Sequence, residues 1–278
     1  MPSPVSTNAK LTYLVAPDAG VRAYFTINAD PITGVQKRNT ERQEHEVTLE
    51  NVRGKEAEYT LDNCGFQFSK HKSSHTTFLN DDDVVKEYYP ESIDLIKKLT
   101  GASRVELFDH TIRRRRPGQI DDSPGRRQPV IQVHVDQTPA SAIARVHRHL
   151  PAEDAPKLLE KRFQLINLWR PIENPAIDWP LGLCDYRSVE PEKDPFPMAL
   201  IYPDREGEIM GVQYNPKHNW KYLYGMTTDE VVLIKCFDSI QDGSVARFTP
   251  HTGFSDPTTP EGTPLRQSIE LRALVFYD

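Results

Sequence analysis

At 278 residues the chain is long enough to bury a sizeable core without disulfide support, and 23 prolines, 14 glycines and 37% hydrophobic residues suit short strands and ordered loops rather than long helices. A formal charge of -6 and an isoelectric point near 5.9 lack the basic balance of a nucleic-acid-binding domain. Three cysteines, Cys64, Cys184 and Cys236, are odd in number and far apart, which argues against a disulfide framework or zinc ribbon and predicts a reducing, cytoplasmic setting. No stretch approaches the ~18 apolar residues of a membrane helix. The opening MPSPVSTNAK has no charged and apolar leader pattern, so a soluble, unprocessed protein is expected.

Residues 1–80 alternate short β-prone runs such as Arg22 to Ile27 with polar loops, giving an ordered but irregular extension. Asp81 to Asp83 are placed to cap a helical stretch that Pro90 interrupts, that Ser92 to Leu99 continues and that Gly101 ends. Arg104 to Ile112 and Pro129 to Val135 read as strands. Between them RRRRPGQIDDSPGRRQP reads as an exposed, solvated loop. Helical patterns follow at Ala140 to Leu150 and Glu153 to Arg162, each opened by a proline.

Thereafter strands dominate, at Phe163 to Trp169, Met198 to Tyr202, Trp220 to Tyr224, Val231 to Phe237 and Ile269 to Tyr277. That count suits a sandwich or barrel. No linker divides it, so residues 1–278 are expected to form one mainly β domain with flanking helices, about residues 1–80 packing on it as an extension.

In QVHVD the period of two puts Gln132, His134 and Asp136 on one face and Val133 and Val135 on the other. His-x-Asp offers an imidazole nitrogen and a carboxylate oxygen to one point, and a ligand from a distant strand completes a facial triad. Three positions stay open, two for a chelating keto acid and one for dioxygen. His251 is the distal candidate. Fifteen residues after it stands Arg-x-Ser: Arg266 carries a planar fork suited to a carboxylate, with Ser268 on the same strand face.

The order HxD, distal His, RxS resembles the jelly-roll iron(II)/2-oxoglutarate oxygenases. LDNCGFQF, LFDHTIRRR, HVDQTP, INLWRP, KCFDS, PHTGF and RQSIELRALVFYD narrow it: from about residue 60 onward the chain is similar to the fungal hydroxylase/desaturase group of gibberellin desaturase-like and aspergillic-acid-pathway enzymes, to which a cephamycin-methoxylation partner protein is related. The resemblance implies a double-stranded β-helix, iron on His134, Asp136 and His251, and 2-oxoglutarate held by Arg266 with Ser268, Arg272 being the alternative. It also implies dioxygen as co-reactant, ascorbate as reductant in vitro, and a small-molecule substrate hydroxylated or desaturated in fungal secondary metabolism. A non-catalytic partner subunit and a redox-neutral iron isomerase are the other readings on the same fold. A homodimer is left open.

Asn167, Trp169 and Arg170 are candidates for the pocket wall or a second keto-acid contact, as is Arg247. Asp109 and His110, adjacent and so on opposite strand faces, are expected to be structural, and Asp238 to cap a turn. No GxSxG, GxGxxG or GxxxxGKS/T occurs, so hydrolase and nucleotide-binding readings have no support.

Overall fold

Alternation along the first strand sets how the chain enters its larger sheet. The computed structural model describes residues 4–30, 32–121 and 123–278. In β1 (Ser6–Val15) the residues Thr7, Ala9, Leu11 and Tyr13 are buried, whereas Ser6, Asn8 and Lys10 face solvent. After β2 (Ala23–Thr26), β3 (Glu41–Asn51) pairs antiparallel with β1 from Ser6–Glu50 to Val15–Glu41. The run expected at Arg22 to Ile27 is β2, whereas β1 and β3 form a regular ladder that the expected irregular extension lacks. Lysines, threonines and glutamates on its wet face hide the pattern.

β4 (Phe66–Lys70) precedes a helical run in which α1 (Asp81–Asp83) passes through a π-helical turn, Val84–Tyr88, into α2 (Tyr89–Thr100). The cap is Asn80, whose side chain accepts from the Asp82 N–H, one residue before the expected aspartates. Pro90 does not interrupt the run: it lies in the first turn of α2, directly after the π-helical turn. Gly101 closes α2 in the left-handed region at φ 72°, as expected.

The remaining elements are β5 (Arg104–Arg114), β6 (His134–Val135), α3 (Pro139–His149), α4 (Ala155–Leu159), β7 (Phe163–Pro171), β8 (Leu181–Cys184), β9 (Pro195–Ile201), β10 (Glu206–Val212), β11 (Trp220–Tyr222), β12 (Glu230–Asp238), β13 (His251–Gly253) and β14 (Gln267–Phe276). The expected strand at residues 129–135 shrinks to the two residues of β6 and a bridge from Thr12 to Gln132. The second helical pattern, expected to Arg162, closes at Leu159.

One sheet runs β1-β3-β11-β8-β13-β6-β10-β9-β2 and the other β4-β12-β7-β14-β5. The two curled sheets make a jelly roll. In the smaller sheet β7 and β12 are buried on both faces, which explains their near-continuous apolar runs. Leu95 and Ile96 of α2 cover the outer side against Ile166, Leu168 and Leu271. The inner side faces the other sheet.

Gly65 ties this frame to the site. Its φ is +91°, and its carbonyl accepts from Thr249 Oγ1 at 2.5 Å; the Thr249 carbonyl in turn receives His251 Nδ1 at 3.0 Å. A Cβ here would lie 2.3 Å from Thr249 Oγ1 and 2.9 Å from the Phe248 carbonyl oxygen. Gly65→Ala is expected to destabilise the fold by about 3 kcal/mol, strain and overpacking acting together, read as a lower urea midpoint at unchanged slope.

Candidate metal centre and its cavity

Strands β6 and β13 are neighbours, and their pairing sets His251 directly opposite His134. His134 Nε2 lies 3.2 Å from Asp136 Oδ1, and His251 Nε2 lies 4.0 Å from the same oxygen. The three ligand atoms fall within 4.8 Å of one another. Each imidazole is locked from behind. His134 Nδ1 is 2.8 Å from the Gln132 carbonyl and His251 Nδ1 is 3.0 Å from the Thr249 carbonyl. A carbonyl only accepts, so each Nδ1 carries the hydrogen and each Nε2 directs its lone pair to the centre.

The electrostatics suit a cation. Burial, reinforced by His134, pushes His251 down to about 4, so it is neutral at physiological pH and holds no proton for a metal to displace. Burial also pushes the Asp136 carboxyl up, but contact with the His134 ring and the charge of Arg272 outweigh it, holding the group well below the usual carboxylate range. Two neutral imidazoles and one carboxylate, converging on one side only, are the donor set of non-haem iron(II) with open positions.

Asn167 and Arg272 come from the facing sheet and support Asp136. Asn167 Nδ2 donates to Asp136 Oδ2 at 2.7 Å, and Arg272 Nε lies 3.4 Å from that oxygen. Arg272 also donates to Asp109 at 3.0 Å, to Thr111 at 3.1 Å and to Glu270 at 2.6 Å. With its guanidinium committed to these groups, Arg272 orients the carboxylate ligand. Burial and the Asp136 charge push the Glu270 carboxyl up against the pull of Arg272.

Arg266 and Ser268 are 2% and 1% exposed. The Arg266 guanidinium lies over the Trp169 ring, 5.7 Å from its centroid, and donates to the Trp179 carbonyl at 2.6 Å. Its Nε is buried with no partner among the described residues. Burial, together with Arg113 close by, pushes Arg266 down to about 9. Arg113 stands opposite Ser268 on β5 and donates to the Gln128 carbonyl at 3.0 Å. Two guanidinium groups, Arg266 buried and Arg113 half-buried, thus flank Ser268 with no carboxylate in hydrogen-bond contact with either among the described residues.

Arg170 is a correction. It lies on the opposite face of β7 from Asn167, under the Tyr88 ring, and contacts the Thr228 carbonyl and His71. Alternation along the strand turns it away from the cavity. Arg247 faces outward onto Tyr186 and Glu192. Trp169 is core and also the platform under Arg266.

Arg113 is the site residue that the sequence places elsewhere, while Asp109, expected to be structural, supports Arg272 with Thr111. The sequence places RRRR in a solvated loop, but β5 extends to Arg114 and Arg113 lines the cavity over the ligands. The period of two from Asp109 through Thr111 to Arg113 was the available signal.

Over the ligands opens a cavity of about 1010 Å³, lined by His134, Asp136, Arg272 and residues of β2, β5, β9 and β10. Its size fits a small organic molecule.

The family described as "Oxidoreductase/YMDC permease-like domain" matches residues 11–276. Among the described residues no helix is long and apolar enough to cross a membrane. The chain is 37% identical over 254 residues to the hydroxylase/desaturase efuI of Hormonema carpetanum, covering 84% of this chain and 83% of that protein. It is 32% identical over 269 residues to the Fe(II)/2-oxoglutarate-dependent dioxygenase nvfI of Aspergillus novofumigatus, covering 94% of each. A solved structure of the iron and alpha-ketoglutarate-dependent endoperoxidase NvfI superposes with a TM-score of 0.85 at 28% identity, covering 99% of both chains. The facing sheets, the convergent donors and these relatives agree: the chain belongs to the oxidoreductase family that contains the fungal hydroxylase/desaturases, and it is an enzyme dependent on iron(II), 2-oxoglutarate and dioxygen.

Proposed function

We propose that the enzyme hydroxylates or desaturates a small-molecule intermediate of fungal secondary metabolism, with iron held by His134, Asp136 and His251. The observation that carries this reading is the triad on one sheet together with Arg266, just before β14, and Arg113 of β5 on the other. Iron held there would supply the oxidising chemistry, with 2-oxoglutarate and dioxygen as co-reactants. The chain's own residues bind, orient and exclude water.

Arg266 and Ser268, with Arg113, take the far carboxylate of 2-oxoglutarate, and the Trp169 ring fixes the plane of the Arg266 fork. Arg272 and Asn167 hold Asp136 in its ligating orientation. The residues of β1 to β3 run into the same sheet as the ligands, which supports reading residues 1–278 as one oxygenase domain. Three free, buried cysteines support a reducing, cytoplasmic setting.

The test is succinate formation from 2-oxoglutarate by the iron-loaded enzyme with ascorbate, in extracts containing candidate metabolites. Arg266→Gln is expected to raise the KM for 2-oxoglutarate about 10-fold or more, the weight of a charge-assisted hydrogen bond, while iron content is unchanged. An unchanged KM would remove Arg266 from the cosubstrate site.

A further inference from the structure

The cavity has a floor and a charged side. From β6 the sheet continues through β10 and β9 to β2, with Gly211 opposite His134, Gly207 opposite Leu200, and Leu200 opposite Phe25. Ile209, Leu200 and Phe25 therefore form an apolar path leading away from the iron ligands, and all three line the cavity.

The charge of its wall is opposite to that of the protein. The sequence carries -6 overall, yet eight arginines and five carboxylates line the cavity among the described residues. The carboxylates are engaged: Asp81 with His110, Asp109 with Arg272, Asp121 with Arg127, Glu208 with Thr138, and Asp136 in the triad. Arg38 and Arg42 have no carboxylate partner among the described residues. Iron(II) and doubly charged 2-oxoglutarate cancel each other, so cosubstrate binding does not absorb this excess.

Arg38 is the best placed of these. Its guanidinium lies 5.8 Å from the centroid of Phe25, at the outer end of the apolar path. It donates only to neutral amide oxygens, Gln132 Oε1 at 3.1 Å and Gln36 Oε1 at 3.3 Å. Three of its five N–H donors are left over among the described residues. Gln132 stands two residues before His134, ~7 Å along the strand, so the free donors lie within a small molecule's length of the metal. Burial and the neighbouring Arg42 push Arg38 down to about 10, which an incoming anion would reverse.

We propose that the substrate carries a carboxylate, received by Arg38 with Arg42 beside it, while its apolar body lies along Phe25, Leu200 and Ile209 and presents a carbon to the iron side. This deepens, and rests on, the reading of the protein as an oxygenase of small molecules. Three spare donors in a planar fork, at the end of an apolar approach, match the two oxygens of a carboxylate.

The test uses the holoenzyme, loaded anaerobically with iron(II) and saturating 2-oxoglutarate, and a panel of aliphatic and aromatic carboxylic acids, each beside its methyl ester. Binding is read by equilibrium dialysis and by perturbation of the visible absorption of the iron–keto acid chelate. At least one acid is expected to bind about 10-fold or more tightly than its ester. Arg38→Gln should bring that ratio close to one with the chelate absorption intact, and Arg38→Lys should restore part of it. No acid preferred over its ester in the wild type, whether both bind or neither does, would overturn the proposal. So would an Arg38→Gln variant that keeps the preference, or one that loses 2-oxoglutarate affinity instead, which would place Arg38 in the cosubstrate site. Failure of the oxygenase reading itself looks different: no chelate absorption forms in the wild type before any acid is added.

Discussion

Asp136→Ala is expected to abolish 2-oxoglutarate turnover and lower iron(II) affinity by at least ~100-fold, because loss of a ligand must exceed the ~10–100-fold cost of losing one of its supports. Asp136 gives the centre its only carboxylate among the described residues, and a site of two neutral imidazoles alone retains iron poorly. The fold should survive. Arg272 keeps its contacts to Asp109, Thr111 and Glu270 when Asp136 is removed, so no buried cation is stranded. Iron content after desalting, measured beside a circular dichroism spectrum, checks both halves. Retained stoichiometric iron in a folded variant would contradict the assignment. Asn167→Ala, which removes the 2.7 Å hydrogen bond to Asp136 Oδ2, should lower iron affinity by the smaller ~10–100-fold.

Asp238→Ala is expected to cost about 3–5 kcal/mol of stability while leaving the chemistry of the iron centre untouched. Asp238 and Lys235 are both fully buried. The carboxylate receives Lys235 Nζ at 2.7 Å, Arg162 Nη2 at 2.7 Å, Gln164 Nε2 at 2.7 Å and the Ile240 N–H at 3.0 Å. Reading Asp238 as a turn cap therefore captures one of these four partners. Without it Lys235 keeps only Asp62, which is 53% exposed, and a buried ammonium is left with a screened partner.

The same group has a pH signature. Burial pushes the Asp238 carboxyl up, but Arg162 and Lys235 outweigh it, so its folded pKa lies below the ordinary value of 3.8. The unfolded state then binds more protons at acid pH. The contribution of Asp238 is present above about pH 4 and is lost as pH falls through the folded pKa. Urea midpoints of wild type and Asp238→Ala should converge in acid and diverge above it; a constant gap would contradict the network.

Sequence periodicity made much of this architecture legible, and its failures have physical causes. The helices near Ser92 and Ala142 and the aromatic, β-branched strands of the smaller sheet were readable because burial on both faces makes their apolar runs continuous. β1 and β3 were not, because each turns a polar face to water along its whole length. The π-helical turn before α2 has no sequence mark that separates it from a proline break.

At the site, His134, Asp136 and His251 stood out because a metal needs particular atoms at particular spacings. Arg113 and Arg38 did not. A cation that faces an interior looks, in sequence, like one that faces solvent, and only the register of β5 and the position of Gln36 and Arg38 at the cavity distinguish them. Arg170 errs the other way. Its motif neighbour Asn167 reaches Asp136, whereas Arg170, an odd number of residues along the same strand, must point outward.

The most direct test of the central claim is anaerobic titration of the purified apoprotein with iron(II) and 2-oxoglutarate, following the weak visible charge-transfer absorption of the chelate in wild type and in His251→Ala. The account predicts stoichiometric growth of the absorption in the wild type and its loss in the variant. No absorption in the wild type, or an equal one in both, would contradict it.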